Sequence, residues 1–346
     1  MKFAMIWDYS AYVKSFYVKD GVAHTFEDNK PYMYTHAVSP ECFLMGPGSF
    51  PFLWEDGCFI NLWDYYENIG DELPDVDLDI IFYACEAKGL LNENFDNFKV
   101  NILRKKYPNA KIIGWVKEIG VNFNTGLVNS AEKPQNQVKI FNDCDAVLSH
   151  GIANMRDLTY HKELNKNINK ELQFLAVPLN IDYMYDNFYS EEKDLAIYAY
   201  LPNQYHRRGK TYEFVSYLSN KYNIPIKHKP LENGQKFDYL TQKEFIELWS
   251  PNLFHFNLDP TETQPGMQCR QVASVGSINM GGLNESHHLL YPETATNDVK
   301  ILEDKFVEYL NDEKKRFEVI AHAWTRLNEV YSHSSVKKQI SEIVYE

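Results

Sequence analysis

The sequence predicts an α/β protein built as two domains in series, and three observations carry that prediction. The chain has 346 residues, more than one hydrophobic core ordinarily serves. Apolar runs of strand length alternate with stretches of helical period, the pattern of a mostly parallel sheet covered on both faces. The polar stretch Asp186–Asp194 interrupts this pattern, and a new unit opens at Leu195.

Taken in order, Lys2–Trp7 reads as the first strand, ending at Asp8. Phe16–Val22 and His24–Phe26 flank Lys19-Asp20-Gly21, whose Asp-Gly pair signals a hairpin turn. Gly46-Pro-Gly-Ser-Phe-Pro-Phe52 carries too much proline and glycine for α-helix or central strand and reads as a shaped loop. Ile60–Ile69 is expected to be a short helix. From Asp79 the alternation is clear: strand Ile80–Ala84, helix Phe98–Lys106, strand Ala110–Trp115, a helix near Gln137–Asn142, strand Asp145–Ser149, a helix near Ala153–Tyr160 and strand Leu172–Pro178.

The second unit opens with strand Leu195–Tyr200, a loop from Leu201 to Thr211 and helix Tyr212–Lys221. Strand Ile224–His228 and helix Thr241–Trp249 follow, the latter opened by a capping box of Thr241 and Glu244. Strand Asn252–Leu258 then leads into a polar loop, a short helix and a strand stopping at Gly281-Gly282. Residues 283–290 are expected to form a loop, and the chain from about Asp298 to be helical.

Composition narrows the function class. A net charge of −13 and an isoelectric point near 5.4 argue against a polyanion-binding surface over the whole protein. A local basic groove stays open, with His206-Arg207-Arg208-Gly209-Lys210 its nearest candidate. Five cysteines, odd in number and in apolar surroundings, fit buried thiols in a reducing compartment, so a cytoplasmic location is expected. No spacing of cysteines matches a zinc site, and no apolar run is long enough to span a bilayer. Gly209-Lys210-Thr211 lacks the upstream glycines of a phosphate-binding loop. Neither a Gly-x-Ser-x-Gly elbow nor a Gly-x-Gly-x-x-Gly turn after the first strand is present.

Two segments carry the features of a site. In His206-Arg-Arg-Gly-Lys-Thr211, cations stand at the start of a helix, where they oppose its dipole; an anion nearby would rationalise them, against the plain alternative of a solvated helix start. In Leu258–Gly282, a strand, a polar loop, a helix N-terminus and a second strand succeed one another, as where open α/β sheets bind ligands at their carboxyl edge. This segment holds Glu262, Thr263, Gly266, Met267 and Arg270, and Glu285 follows it.

This organisation, and the stretches Tyr198–Arg208 and Thr261–Gly282 in particular, resembles the two-domain glycosyltransferases of the GT-B architecture, especially the retaining group. The resemblance implies two Rossmann-like domains facing across a cleft, with C-terminal helices crossing back. It divides the chain into an acceptor-side domain (1–187), a nucleotide-sugar donor domain (188–315) and helices packing back on the first domain (316–346). It implies transfer of a sugar from a nucleoside-diphosphate sugar to an acceptor hydroxyl, retaining and independent of metal, with no other cofactor. A departing diphosphate needs cations and helix N-terminal amides around it. Arg208 and Lys210 best match the basic pair of the family, with Arg207 beside them, and Glu262 matches the acidic residue of the donor loop. Thr263, Gly266 and Met267 would face the sugar and phosphates. His150, at the end of a strand, would touch the donor sugar, or serve only as a strand-end hydrogen bonder.

The chain departs from the family where a ribose-holding glutamate is expected on the helix: Arg270 stands there, and Glu285 is the candidate to assume part of that role. On the acceptor side Asp8, Trp54, Glu55, Asp56, Lys117 and Glu118 fall in loops after strands; Asp56 or His150 would be the general base of an inverting enzyme. The acceptor is open among small molecules, glycans and hydroxymethylated bases of viral DNA. A sugar-nucleotide epimerase and a non-catalytic nucleotide-sugar-binding protein are the other readings.

Overall fold

The computed structural model describes residues 2–7, 14–27, 47–65, 73–85, 100–116, 132–150, 165–199, 205–227, 242–258 and 267–345. The chain divides into two compact units: unit 1 comprises 1–178 and 336–346, and unit 2 comprises 179–335.

Unit 1 is built on an eight-stranded sheet of β1 (Phe3–Trp7), β2 (Phe16–Lys19), β3 (Val22–Thr25), β4 (Cys58–Asn61), β5 (Ile80–Cys85), β6 (Lys111–Val116), β7 (Ala146–His150) and β8 (Leu172–Leu175). Their order is β3-β2-β4-β1-β5-β6-β7-β8. All pairs from β4 to β8 are parallel, and β2–β3 is an antiparallel hairpin attached antiparallel to β4. Asp20 and Gly21 turn that hairpin with φ of 52° and 73°, the two left-handed residues of a type I′ turn, as the Asp-Gly pair predicts.

β1 is buried along its whole length, and its alternate residues enter different packing layers. Ala4 and Ile6 join Ile60, Ile81, Tyr83 and Ile112 under Val100 and Leu103 of α1 (Val100–Lys106). Phe3 meets Phe82 edge-on at 4.9 Å and Trp54 at 4.6 Å, while Phe50 closes on Trp115 at 4.6 Å. The 3-10 segment Pro47–Leu53 supplies Phe50, so the proline- and glycine-rich loop acts as an aromatic cover. Arg104 of α1 makes a two-pronged pair with Asp145, at 2.7 and 3.2 Å, and Asp145 also accepts from Ile112 N–H at 2.7 Å. Burial alone would raise the Asp145 carboxyl, but Arg104 and the Ile112 amide together hold it below its usual value. Helix α2 (Glu132–Asp143) brings Phe141 against Val147 and Leu172.

The expected helix over 60–69 is corrected by β4. Cys58–Asn61 is buried at every position and sits between β1 and β2, and the chain turns into a short 3-10 segment only at Leu62–Tyr65. A short run with no alternation carries no helical period to separate the two outcomes. The rest of that stretch, and the expected helix near Ala153–Tyr160, lie outside the described residues.

Unit 2 begins with α3 (Ile181–Phe188), N-capped by Asn180. Its four-stranded parallel sheet runs β10-β9-β11-β12, from β9 (Asp194–Ala199), β10 (Ile226–Lys227), β11 (Asn252–Phe256) and β12 (Ile278–Met280). The helices are α4 (Tyr205–Tyr222), α5 (Gln242–Trp249), α6 (Met267–Ser274), α7 (Glu285–Leu290), α8 (Val299–Asn311) and α9 (Glu313–Tyr331). A last helix, α10 (His333–Tyr345), belongs to unit 1 from Val336 onward. It is tied there by Ala176 N–H donating to the Gln339 side chain and by Lys111 Nζ donating to the Val344 carbonyl, both at 3.1 Å.

One face of the second sheet is aromatic. Phe256 meets Phe214 of α4 at 5.8 Å, and Phe254 and Phe256 meet Phe306 of α8 at 4.8 and 5.9 Å. The opposite face holds His255 between Tyr198 and Trp249 of α5. Among the described residues no helix is long and apolar enough to cross a membrane.

Candidate functional site

Strand order in unit 2 marks a candidate position for a site. From β9 the chain turns one way to β10, while from β11 it turns the other way to β12. Right-handed crossovers then put α4 and α6 on opposite faces and part the chain between the carboxyl ends of β9 and β11. The chain leaving those ends goes on to α4 and, past residues 259–266, which lie outside the described residues, to α6; α4 and α6 lie in the two segments that the sequence singles out. Thr211, fully buried in α4, joins them: its Oγ1 accepts a 3.0 Å hydrogen bond from Leu258 N–H at the end of β11.

The basic stretch is not the loop expected from the sequence. Helix begins at Tyr205, so Arg207, Arg208, Gly209 and Lys210 occupy its first turns. Helix formation runs through Gly209 because the residues after it bury Thr211, Phe214, Val215 and Leu218; that packing outweighs the roughly 1 kcal/mol helical penalty of one glycine. Lys210 is exposed. The side chains of Arg207 and Arg208 lie outside the described residues, as do Glu262, Thr263, Gly266 and the Met267 side chain; Met267 is the first residue of α6.

The turn after β12 is held from several directions. Gly281 and Gly282 have φ of 88° and 98°, conformations that other residues rarely adopt. Gly281 N–H donates to Thr294 O and Gly282 N–H to the Asn297 side chain, each at 3.0 Å. The Asn279 amide donates to Gly281 O at 3.1 Å, and the Thr294 hydroxyl donates to Asn279 O at 2.7 Å. A Cβ on Gly282 would stand 2.5 Å from the His287 ring. Where a loop is expected over 283–290, α7 forms instead, because Asn284 caps it by accepting from His287 N–H. An Asn followed at once by Glu285 is an N-terminal helix signal that reads correctly once noticed. Thr294 and Asn297 give no such local signal; their role comes from long-range contact.

Arg270 lies inside the unit, 2% exposed, with its guanidinium 4.9 Å from the centre of the Tyr331 ring. Burial lowers its pKa, while Tyr331, Cys269 and Glu285 favour the charged form. The Tyr331 hydroxyl meets Ser286 Oγ at 3.0 Å. Arg270 therefore sits within the helical layer of α6, α7 and α9, with Glu285 half-buried at the start of α7. His287 is buried and His288 exposed; among the described residues no cluster of three metal-ligating side chains exists.

In unit 1, His150 is the last residue of β7, in register with Leu175, and its side chain lies outside the described residues. Trp54 is packed on Phe3, the core alternative to a stacking platform. Glu55 and Asp56 are exposed in the turn that follows it. Asp8, Lys117 and Glu118 lie outside the described residues.

No protein-family model and no curated protein sequence matches the chain. Solved structures do. An α-glucosyltransferase in complex with UDP superposes with a TM-score of 0.59 at 13% identity, covering 100% of both chains. Sucrose-phosphate synthase from Thermosynechococcus elongatus matches with a TM-score of 0.54 at 11% identity, over 99% of this chain and 98% of that one. Anabaena HepE in complex with UDP and glucose matches with a TM-score of 0.51 at 9% identity, over 82% and 81%. These neighbours are GT-B glycosyltransferases. The chain has the GT-B fold.

Proposed function

We propose that the chain is a glycosyltransferase that takes a sugar from a nucleoside-diphosphate sugar and transfers it to an acceptor hydroxyl. The observation that carries this reading is the reversal of strand order in unit 2. The start of α4 follows β9 and α6 follows β11 on its two sides, and the Thr211–Leu258 bond ties α4 to the chain leaving β11.

At such a reversal, helix N-terminal amides and nearby cations hold a diphosphate and stabilise the charge that grows on it as the glycosidic bond breaks. Arg208 and Lys210 are assigned that stabilisation, with Arg207 beside them and Thr263, Gly266 and Met267 contributing loop and helix-start backbone. Glu262 is assigned to the donor sugar. The reaction is retaining and needs no metal: the acceptor oxygen bonds to the anomeric carbon on the face the phosphate leaves, and the acceptor proton passes to the leaving phosphate oxygen. The roles of His150, Arg270 and Glu285 toward the donor rest on the family resemblance alone. For Arg270, burial against Tyr331 favours an internal structural role over direct contact with phosphate.

A second reading specifies the acceptor as a hydroxymethylated base in DNA. It is supported by the end-to-end match to the α-glucosyltransferase, which is also known in complex with UDP-glucose and DNA containing an abasic site. The net charge of −13 gives it no support.

The donor reading is tested by thermal denaturation with UDP-, GDP- and ADP-sugars in the presence of a chelator. Ligand at 100 times its Kd stabilises by about 2.7 kcal/mol, a shift of several degrees. The shift is expected for at least one donor and should shrink in Arg208→Ala and Lys210→Ala. Absence of any shift would refute the donor site. Label transfer from the stabilising donor to hydroxymethylated DNA, against unmodified DNA as control, tests the acceptor.

A further inference from the structure

We propose that a cavity in unit 2, between α7, α8 and α9, is a binding site for a small organic cation: a single aromatic ring carrying an ammonium on a short arm. The cavity has a volume of about 160 Å³ and is lined by residues between 290 and 322. An engineered apolar cavity of about 150 Å³ binds benzene, whereas sites for larger ligands begin at about 300 Å³. One ring therefore fits and a nucleotide sugar does not, so the site is separate from the proposed donor site.

Its walls are apolar. Leu290, Tyr291 and Tyr309 are buried, Val319 of α9 is half-buried, and all four line the cavity. Two of them are tyrosines, whose rings attract cations as well as apolar groups. The polar lining groups are unequally satisfied. Glu293 accepts from Lys305, from Lys315 at 3.1 Å and from the Tyr309 hydroxyl at 3.4 Å. His322 Nε2 meets Leu289 O at 3.3 Å. Glu318 has only Lys315, at 4.0 Å, beyond hydrogen-bond reach, and its side chain is 55% exposed. The Glu318 carboxylate is therefore the unfilled acceptor on the open side of the cavity. A carboxylate only accepts, so the group it draws is a donor, and a positive charge strengthens that bond. The lining residues point the same way, with two carboxylates, Glu293 and Glu318, against the one ammonium of Lys315.

The floor of the cavity is also tied to β12. The Tyr291 hydroxyl donates to Ser277 O and the Thr294 hydroxyl to Asn279 O, both at 2.7 Å, and Gly281 N–H donates to Thr294 O at 3.0 Å. A ligand packed on this segment opposes local opening of the Gly281-Gly282 turn.

The test compares the unmodified chain with Glu318→Gln and Val319→Trp, using three probes of similar shape: 2-phenylethylamine, 3-phenylpropionate and 2-phenylethanol. Calorimetry measures binding, and hydrogen exchange follows the Gly281 and Gly282 amides. The amine is expected to bind saturably, about fivefold more tightly than the alcohol and more tightly still than the carboxylate. Glu318→Gln, at an exposed position that leaves the fold intact, should weaken the amine about fivefold, the worth of one partly exposed ion pair. Val319→Trp fills the cavity and should abolish binding. Saturating amine should slow exchange at both glycine amides of the unmodified chain. The proposal is overturned if the amine does not bind, if the carboxylate or the alcohol binds as tightly, or if either substitution leaves the amine's affinity unchanged. Unchanged exchange with the cavity filled would overturn its link to the turn. None of these outcomes bears on the donor reading, which nucleotide-sugar binding decides separately.

Discussion

His255 makes the stability of unit 2 depend on pH in a calculable way. Its ring is fully buried on the sheet face, 5.3 Å from Trp249 and 5.5 Å from Tyr198, with Nε2 donating to Asn252 O at 3.1 Å. Desolvation lowers its pKa to about 3; the Asn252 carbonyl opposes that and the Lys193 charge adds to it. In the unfolded chain the same group titrates near 6.5. Between these values the unfolded state binds a proton that the native state refuses. The contribution is therefore intact above pH 6.5 and is lost as pH falls toward 3. Each unit within the window is worth about 1.4 kcal/mol, so the loss at pH 5 is about 2 kcal/mol. The assay is thermal unfolding from pH 7.5 to 4.5 for the unmodified chain and His255→Leu, comparing slopes rather than offsets. Carboxylates titrate alike in both proteins, and the unmodified chain should lose several degrees more on acidification. Parallel curves would show that His255 is not held neutral by burial, and the reasoning would fail.

Three substitutions probe the frame around the site. Thr211→Val keeps the shape but leaves the buried Leu258 N–H unpaired; it should cost about 1–3 kcal/mol in denaturant unfolding and weaken nucleotide-sugar binding by calorimetry. Gly282→Ala meets both a φ of 98° and a Cβ 2.5 Å from His287; a loss of about 2–4 kcal/mol is expected in urea titration, with retention of stability refuting the turn argument. Arg270→Lys keeps the charge but gives up the planar face over Tyr331, so about 1–2 kcal/mol should be lost in the same assay.

The sequence is most informative where local rules and burial agree. The Asp20-Gly21 turn, the runs of β1, β5, β6 and β9, and the stop at Gly281-Gly282 follow from patterns a few residues long. It misleads where tertiary packing decides. Cys58–Asn61 becomes a strand because two neighbours flank it, and Tyr205–Thr211 becomes helix because Thr211 and Phe214 are drawn under the sheet. The site was legible as two segments, but not the bond joining them, since Thr211 and Leu258 are 47 residues apart.

The division of the chain also bears on how the protein is made. Unit 2 is continuous from 179 to 335, and its ends meet where Leu179 N–H donates to Tyr331 O at 2.9 Å. Unit 1 is not continuous: its sheet is translated first, yet the partners of Ala176 N–H and Lys111 Nζ lie on α10, at Gln339 and Val344. The first-made unit therefore leaves the ribosome incomplete, with the intervening unit synthesised whole before the missing helix emerges. A released chain truncated at Ser335 should display a protease-resistant unit 2 beside a unit 1 still open to cleavage, and restoring Val336–Glu346 should close it.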